Sequence, residues 1–406
     1  MSLPIAEPYI KAFEQLGFGL FIHWGLYSQL GRGEWVFSVE QMDMCDYEPL
    51  ADTFTATEFD ARKIAKMAYD AGCRYVTITA RHHDGFSLYD TRGLSDFDVM
   101  HSAAKRDLMT EFVDACREFG LVPFFYHTTL DWHHPDFDRD FPAYLDYLQK
   151  SVEILCTHYG KIGGFWFDGN WSKPDEDWRE DALYEMIRKH QPEAVIINNT
   201  GVHARGERGN PYIDVVTFEQ GRPDPLDREG MDKYLAAEMC DTISEIWGYG
   251  ERDFNYKSPM ELIESLCMCR KAGANLLMNI GPMGQGGVTK MQEALLELIG
   301  QWMKLYGEAV YNGRPCGVRG IGKNFALCGG DVMYFFCFDV AKVGDLNANY
   351  EGWYAFGGMK KRVKSIRWMD GGEARFHQAE ELLALYVDKY PYGSLCCVRV
   401  AKAELE

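Results

Sequence analysis

The chain has no run of about 18 apolar residues, so no segment has the length and hydropathy of a membrane-spanning helix. It also lacks any block of lysine and arginine. Forty-two basic residues stand against 61 acidic ones, a formal net charge of -19, which excludes an electrostatic footprint for nucleic acid and disfavours an anionic membrane surface. The opening stretch MSLPIAEPYIKAFEQLG has neither the basic start nor the apolar core of a secretory signal, and a cytoplasmic protein is expected. Zinc-ribbon spacing is missing among the 12 cysteines. Neither Cys267 and Cys269 in CMC nor the adjacent Cys396 and Cys397 fit it, and free thiols are expected in a reducing compartment. Internal repeats, low-complexity segments and flexible linkers are absent. A neutral ligand is the partner easiest to reconcile with this balance.

What is present is a large apolar fraction, 47%, with 14% aromatic residues. Rings of this kind either fill cores or cover the C–H-rich faces of sugars. Up to residue 309 strand-like and helix-like stretches alternate. Strands are expected at 18–27, 73–80, 121–128, 163–169, 194–199, 214–220 and 274–280. Helices are expected at 55–72 (capped by Thr57), 106–120, 140–159, 178–190, 259–272 and 288–307. Continuous apolar strands, each followed by a helix, imply a parallel sheet covered on both faces. About eight units over about 300 residues imply a TIM-like (β/α)8 barrel rather than an open sheet. Residues 310–406 change texture to short strands between glycine-rich turns, which reads as a small all-β sandwich domain.

The polar residues gather at strand ends. FIHWG carries His23 and Trp24, TITARHHDGF carries His82 and His83, and FFYHTTLDWHH carries Tyr126 and His127. FWFDGNW carries Trp166, Asp168, Asn170 and Trp171, and TFEQGR carries Glu219. In a (β/α) barrel the C-terminal strand ends meet on one face, where the active site lies. Any one of these residues alone reads as a turn or core residue: Asp168 precedes a glycine, a common turn dipeptide. Their coincidence at successive strand ends favours a site.

Two chemistries compete for it. His23, His82, His83 and Asp168 could hold a metal in a metal-dependent barrel hydrolase. Against this, adjacent strand residues such as His82 and His83 point to opposite faces, and no H-x-H or H-E-x-x-H motif occurs. Glycoside hydrolysis needs two carboxyl groups, about 5–5.5 Å apart if configuration is retained, with imidazoles and tryptophans as hydroxyl partners and stacking walls. A non-catalytic sugar-binding protein is the reading outside enzymes.

FGLFIHWGLYS, GEW at 33–35, AGCRYVTITARHHDGFSLYDT, FWFDGNW, EMCDTISEIWGYG and LLMNIGPMGQGGVTKMQEALLELIGQWMKLYGEAVYNGRP together resemble the α-L-fucosidases of glycoside hydrolase family 29. The resemblance covers residue 18 to about 315 and implies a retaining exo-α-L-fucosidase that removes terminal fucose from a fucosylated oligosaccharide or glycoconjugate, without cofactor or metal. It implies Asp168 as nucleophile. It implies His23, His82 and His83 as holders of fucose hydroxyls, and Glu34, Trp35, Trp166 and Tyr126 or His127 as pocket residues, to which strand-end position adds Trp24. Two acid/base candidates follow. Glu238, in AEMCDTISEIWGYG, is favoured by its motif, although Ala237 stands where the family pattern has Trp; Glu219 is the alternative. A homo-oligomer is also compatible with the resemblance.

Overall fold

Eight short segments, six of them rich in β-branched and aromatic side chains, form strands. In the computed structural model, which describes residues 3–344 and 352–406, they close into a parallel barrel in chain order. The strands are β1 (Phe18–Ile22), β2 (Tyr75–Arg81), β3 (Val122–Thr128), β4 (Gly164–Asp168), β5 (Val195–Asn198), β6 (Val215–Glu219), β7 (Ala236–Thr242) and β8 (Asn275–Ile280). β7 is the strand that the hydrophobic pattern does not announce. Glu238 and Asp241 interrupt its apolar run, yet the Glu238 side chain lies wholly inside the barrel.

Side chains alternate across the barrel wall. Phe21, Phe124, Tyr126, Trp166, Val215 and Leu277 fill the interior, joined from below by Ile10 and Phe13 of the N-terminal helix Pro8–Leu16. Ile22, Phe125, Phe165, Phe167, Val216 and Leu276 belong to the outer core beneath the surrounding helices. This parity decides which strand-end residues can reach the site.

The outer helices are Ala61–Asp70, Leu108–Glu118, Phe141–His158, Glu180–His190, Pro259–Ala272 and Lys290–Asn312. The first begins later than the sequence pattern suggests. Asp60, not Thr57, caps it by accepting the Lys63 N–H at 2.8 Å, which leaves Phe59 outside the helix, stacked on Trp24. Capping boxes at Ser258–Glu261 and Thr289–Gln292 start the last two helices; each N-cap contributes about 1 kcal/mol. Among the described residues no helix follows β5 or β6, and 199–214 and 220–235 run as loops.

Helix Lys290–Asn312 continues through the expected division at 309/310, because Ala309 and Val310 extend its buried face. Gly313 ends it, and eight antiparallel strands from Arg314–Gly320 to Arg399–Leu405 form one sheet. The sheet curls so that Phe335, Phe356, Ile366 and Leu385 share a core of their own, while Leu327, Phe336 and Val400 pack on the barrel. The Trp302 indole donates to the Val398 carbonyl at 2.9 Å across that contact. All 12 cysteines are free, and among the described residues no helix is long and apolar enough to cross a membrane.

Candidate active site

The C-terminal strand ends open into a cavity of about 430 Å³. His23, His82, His83, Tyr126, Trp166, Asp168 and Glu219 line it from strands or the residues just beyond them, and Trp35, Trp171, Asn199 and Trp247 complete the wall. A wider surface hollow of about 990 Å³ across the 245–255 segment holds none of these groups.

Asp168 ends β4. Gly169 then takes φ +122°, and a Cβ there would come within 2.5 Å of the Leu130 nitrogen, so the tight turn that presents Asp168 requires glycine. The carboxylate is held from several sides. Tyr126 donates its hydroxyl to Oδ2 at 3.0 Å, Trp171 donates its indole N–H to Oδ1 at 2.8 Å, and Asn199 Nδ2 donates to Oδ1 at 3.3 Å. His83 Nε2 stands 3.5 Å from Oδ2. Burial alone would raise the pKa of this group. His83, Trp171 and Tyr126 outweigh burial and hold it below the usual carboxylate range, so the group stays ionised.

Glu219 ends β6 on the inward-facing parity of Val215 and Thr217 and accepts from Asn199 Nδ2 at 2.8 Å. Because that one nitrogen also reaches Asp168, the two carboxyl oxygens are no more than about 6 Å apart. Burial, followed by the charge of Asp168, raises the Glu219 carboxyl above its ordinary value. The pair therefore has one carboxyl biased to ionise and one biased to hold a proton.

The histidine rings are tuned by burial. Asn279 donates Nδ2–H to the Trp247 carbonyl, which turns its Oδ1 to accept from His23 Nδ1 at 2.6 Å. His23 Nε2 is then left as an acceptor. Burial pushes the His23 pKa down to about 3 and that of His82 well below the ordinary histidine value, so both rings are neutral. His82 Nδ1 is buried and has no hydrogen-bond partner among the described residues. Thr128 gives its hydroxyl proton to the Leu130 carbonyl and so accepts from His83 Nδ1 at 2.7 Å. His82 and His83 lie beyond the end of β2, where strand alternation no longer applies. Both rings enter the cavity with centroids 4.3 Å apart, contrary to the sequence expectation. Among the described residues no group of three or more His, Cys, Asp or Glu is arranged to hold a metal ion.

Four expected site residues lie outside the cavity. Trp24 follows the inward-facing His23 and is fully buried in the outer core, its ring stacked on Phe59 and its N–H donated to the Met283 carbonyl at 3.0 Å. His127 has the opposite parity to Tyr126 and bonds Ser151 of the helix Phe141–His158 at 2.8 Å. Glu34 sits behind the wall, accepting the Gly248 N–H at 2.8 Å. Glu238 is the fourth. Its register partner on β6 is Thr217, whereas Glu219 pairs with Cys240, so Glu238 lies two residues deeper than Glu219 and is 0% exposed. It does not line the cavity; of the two candidate carboxyls, Glu219 does. Trp171, a strand-end residue, could have been assigned from position alone, and Asn199 from the same rule applied to β5. Trp247 comes from the EIWGYG loop, whose path no local pattern reveals.

The family model described as alpha-L-fucosidase matches residues 4–308. The plasma alpha-L-fucosidase of Pongo abelii is 29% identical over 335 residues, covering 74% of this chain and 69% of its own. Among solved structures, alpha-L-fucosidase isoenzyme 1 from Paenibacillus thiaminolyticus is 31% identical with a TM-score of 0.85, covering 98% of this chain and 99% of its own. A Bacteroides thetaiotaomicron GH29 alpha-L-fucosidase, trapped as a covalent intermediate with 2-fluoro-fucosyl fluoride, is 25% identical with a TM-score of 0.84, covering 100% of this chain and 98% of its own. With a closed parallel barrel, a strand-end cavity holding paired carboxyls and a family match over most of its length, this chain belongs to the alpha-L-fucosidase family of glycoside hydrolases.

Proposed function

We propose that this fucosidase acts by double displacement on terminal α-L-fucose of fucosylated glycans, with Asp168 as nucleophile and Glu219 as acid/base. The observation that carries the reading is the shared Asn199 amide, which brings one oxygen of each carboxyl, Asp168 Oδ1 and Glu219 Oε2, within about 6 Å of each other. Inverting enzymes need about 6.5–9.5 Å to seat a water between their carboxyls. Asp168 attacks the anomeric carbon while Glu219 gives its proton to the leaving glycosidic oxygen. Negative charge on Asp168 stabilises the oxocarbenium-like transition state. Glu219, now ionised, then takes a proton from water, which attacks the fucosyl-enzyme and releases fucose with Asp168 free again. His23 Nε2 is suited to a sugar hydroxyl, and the tryptophan walls to the apolar sugar face. A cavity of about 430 Å³ suits one terminal sugar, hence exo action.

The test is azide rescue with product stereochemistry. Glu219→Ala should lose about 10²–10⁴-fold on glycans, whose leaving groups need protonation, and much less on an activated aryl fucoside. Azide should restore its turnover and yield α-fucosyl azide. Asp168→Gly should yield the β anomer. Release of β-fucose as the first product of wild-type hydrolysis, seen by proton NMR, would sink the retaining mechanism.

A further inference from the structure

Glu238 takes no part in the chemistry above, although it is wholly buried and, among the described residues, its hydrogen-bond partners include no Lys, Arg or His. Burying such a carboxyl is unfavourable, and an apolar side chain would fill the same space more cheaply. An apolar replacement would, however, leave two donors without acceptors. The Tyr75 hydroxyl donates to Glu238 Oε2, and the Trp166 indole N–H donates to Oε1 at 3.0 Å.

Trp166 is the first of three stacked rings. Its plane lies 20° from that of Tyr126 at 5.6 Å, and Tyr126 lies 13° from His82 at 5.5 Å. All three line the cavity, and the middle ring carries the hydroxyl that donates to Asp168. The tilt of Trp166 therefore sets both the wall that meets the sugar and the angle from which Tyr126 reaches the nucleophile.

We propose that Glu238 is a positioning residue for fucoside hydrolysis: by accepting the Trp166 N–H from within the barrel, it fixes the Trp166–Tyr126–His82 stack that holds the sugar and orients Asp168. The proposal rests on the roles given above to Asp168 and Glu219. Burial, against the pull of Tyr75 and Trp166, pushes the Glu238 carboxyl up to about 7. A proton on Oε2 still leaves Oε1 as an acceptor, so the anchor holds in both protonation states.

The test separates an acceptor from an acid. Glutamine has no transferable proton but keeps a carbonyl oxygen for Trp166, and its amide can donate to the Tyr75 oxygen. Glu238→Gln should therefore stay within about tenfold of wild-type kcat/KM, while Glu238→Met, of similar size without an acceptor, should raise KM about ten- to a hundredfold. The loss should be the same for para-nitrophenyl α-L-fucoside and for a fucosylated oligosaccharide, unaffected by azide. It should also be strongly non-additive with Trp166→Phe, which keeps a ring but removes the N–H. An unchanged KM in Glu238→Met, or full additivity with Trp166→Phe, overturns the positioning role and leaves Glu219 untouched. Abolished glycan turnover in Glu238→Gln with azide rescue overturns both, making Glu238 the acid. If Glu238→Met yields no folded protein by circular dichroism, Trp166→Phe alone carries the test, and an unchanged KM there overturns the proposal.

Discussion

Tyr126 and His127 are neighbours on one strand and serve opposite sides of the barrel wall. The Tyr126 hydroxyl lies 3.0 Å from Asp168 Oδ2, and His127 Nε2 lies 2.8 Å from Ser151 Oγ on an outer helix. Substitutions at the two positions should part company accordingly. Tyr126→Phe removes one donor from the carboxylate and should lower kcat/KM by about tenfold with little change in unfolding midpoint. His127→Gln should leave kcat and KM within about twofold and lower the denaturation midpoint. Steady-state kinetics and urea titration of both variants check this; a KM change in His127→Gln alone would contradict the assignment of faces.

Asp168→Asn keeps the shape and most of the hydrogen bonds of the side chain but removes the attacking charge. Turnover should fall by at least about 10³-fold while circular dichroism is unchanged. The same substitution removes the negative neighbour that helps raise Glu219. The Glu219 carboxyl should therefore titrate at a lower pH in the variant, which carbon-13 NMR of labelled glutamate would report. Near-normal turnover would remove Asp168 from the nucleophile role.

The pH dependence of kcat/KM should be bell-shaped, with unequal displacements from the ordinary carboxylate range. The acid limb follows Asp168, whose pKa is held down by His83, Trp171 and Tyr126 against burial. The alkaline limb follows Glu219, raised by burial and by Asp168. Activity is present above the first and lost as the pH rises through the second. Tyr126→Phe, lacking one donor to the ionised carboxylate, should move the acid limb upward and leave the alkaline limb nearly in place.

Stability should fall on the acid side from near pH 6.5. His23 is pushed down to about 3 by burial, and His82 and His127 well below the ordinary value. Each therefore binds its proton more readily in the unfolded chain, where histidine titrates near about 6.5. The stability from keeping them neutral is complete above that pH and declines below it, by up to about 1.4 kcal/mol per pH unit for each ring. Glu238 and Asp84, raised to about 7 and about 6, take up protons in the folded state over the same range and offset part of the loss. Urea midpoints should thus be lower at pH 5 than at pH 7, and His127→Gln should flatten that difference. An unchanged slope would mean that His127 protonates within the fold.

The barrel and most of the site were legible in the sequence because period and position are local. Apolar runs marked seven strands, and the residues at their ends supplied His23, His82, His83, Tyr126, Trp166, Asp168 and Glu219 to one cavity. Parity, once the strand register was fixed, separated Tyr126 from His127 and His23 from Trp24. Glu238 lies away from the cavity for a different reason. Its motif gives the residue but not its depth, which depends on the β6–β7 register and is set by pairing between strands. Trp247 reaches the cavity from a loop, whose course depends on tertiary packing, and the same is true of Glu34 behind its wall.

The wall that carries Glu219 is also the thinnest. β5 and β6 meet through a single register pair, Ile197↔Val215, and neither is followed by a helix. Every other seam of the barrel is longer. Local opening should therefore begin at this seam, with backbone amides around 196–217 exchanging with solvent sooner than those of β1 to β3. Asn199, which spaces the two carboxyls, sits at that gap. A fluctuation too small to unfold the barrel would still part Asp168 from Glu219, so turnover should fail on warming before the bulk of the secondary structure melts.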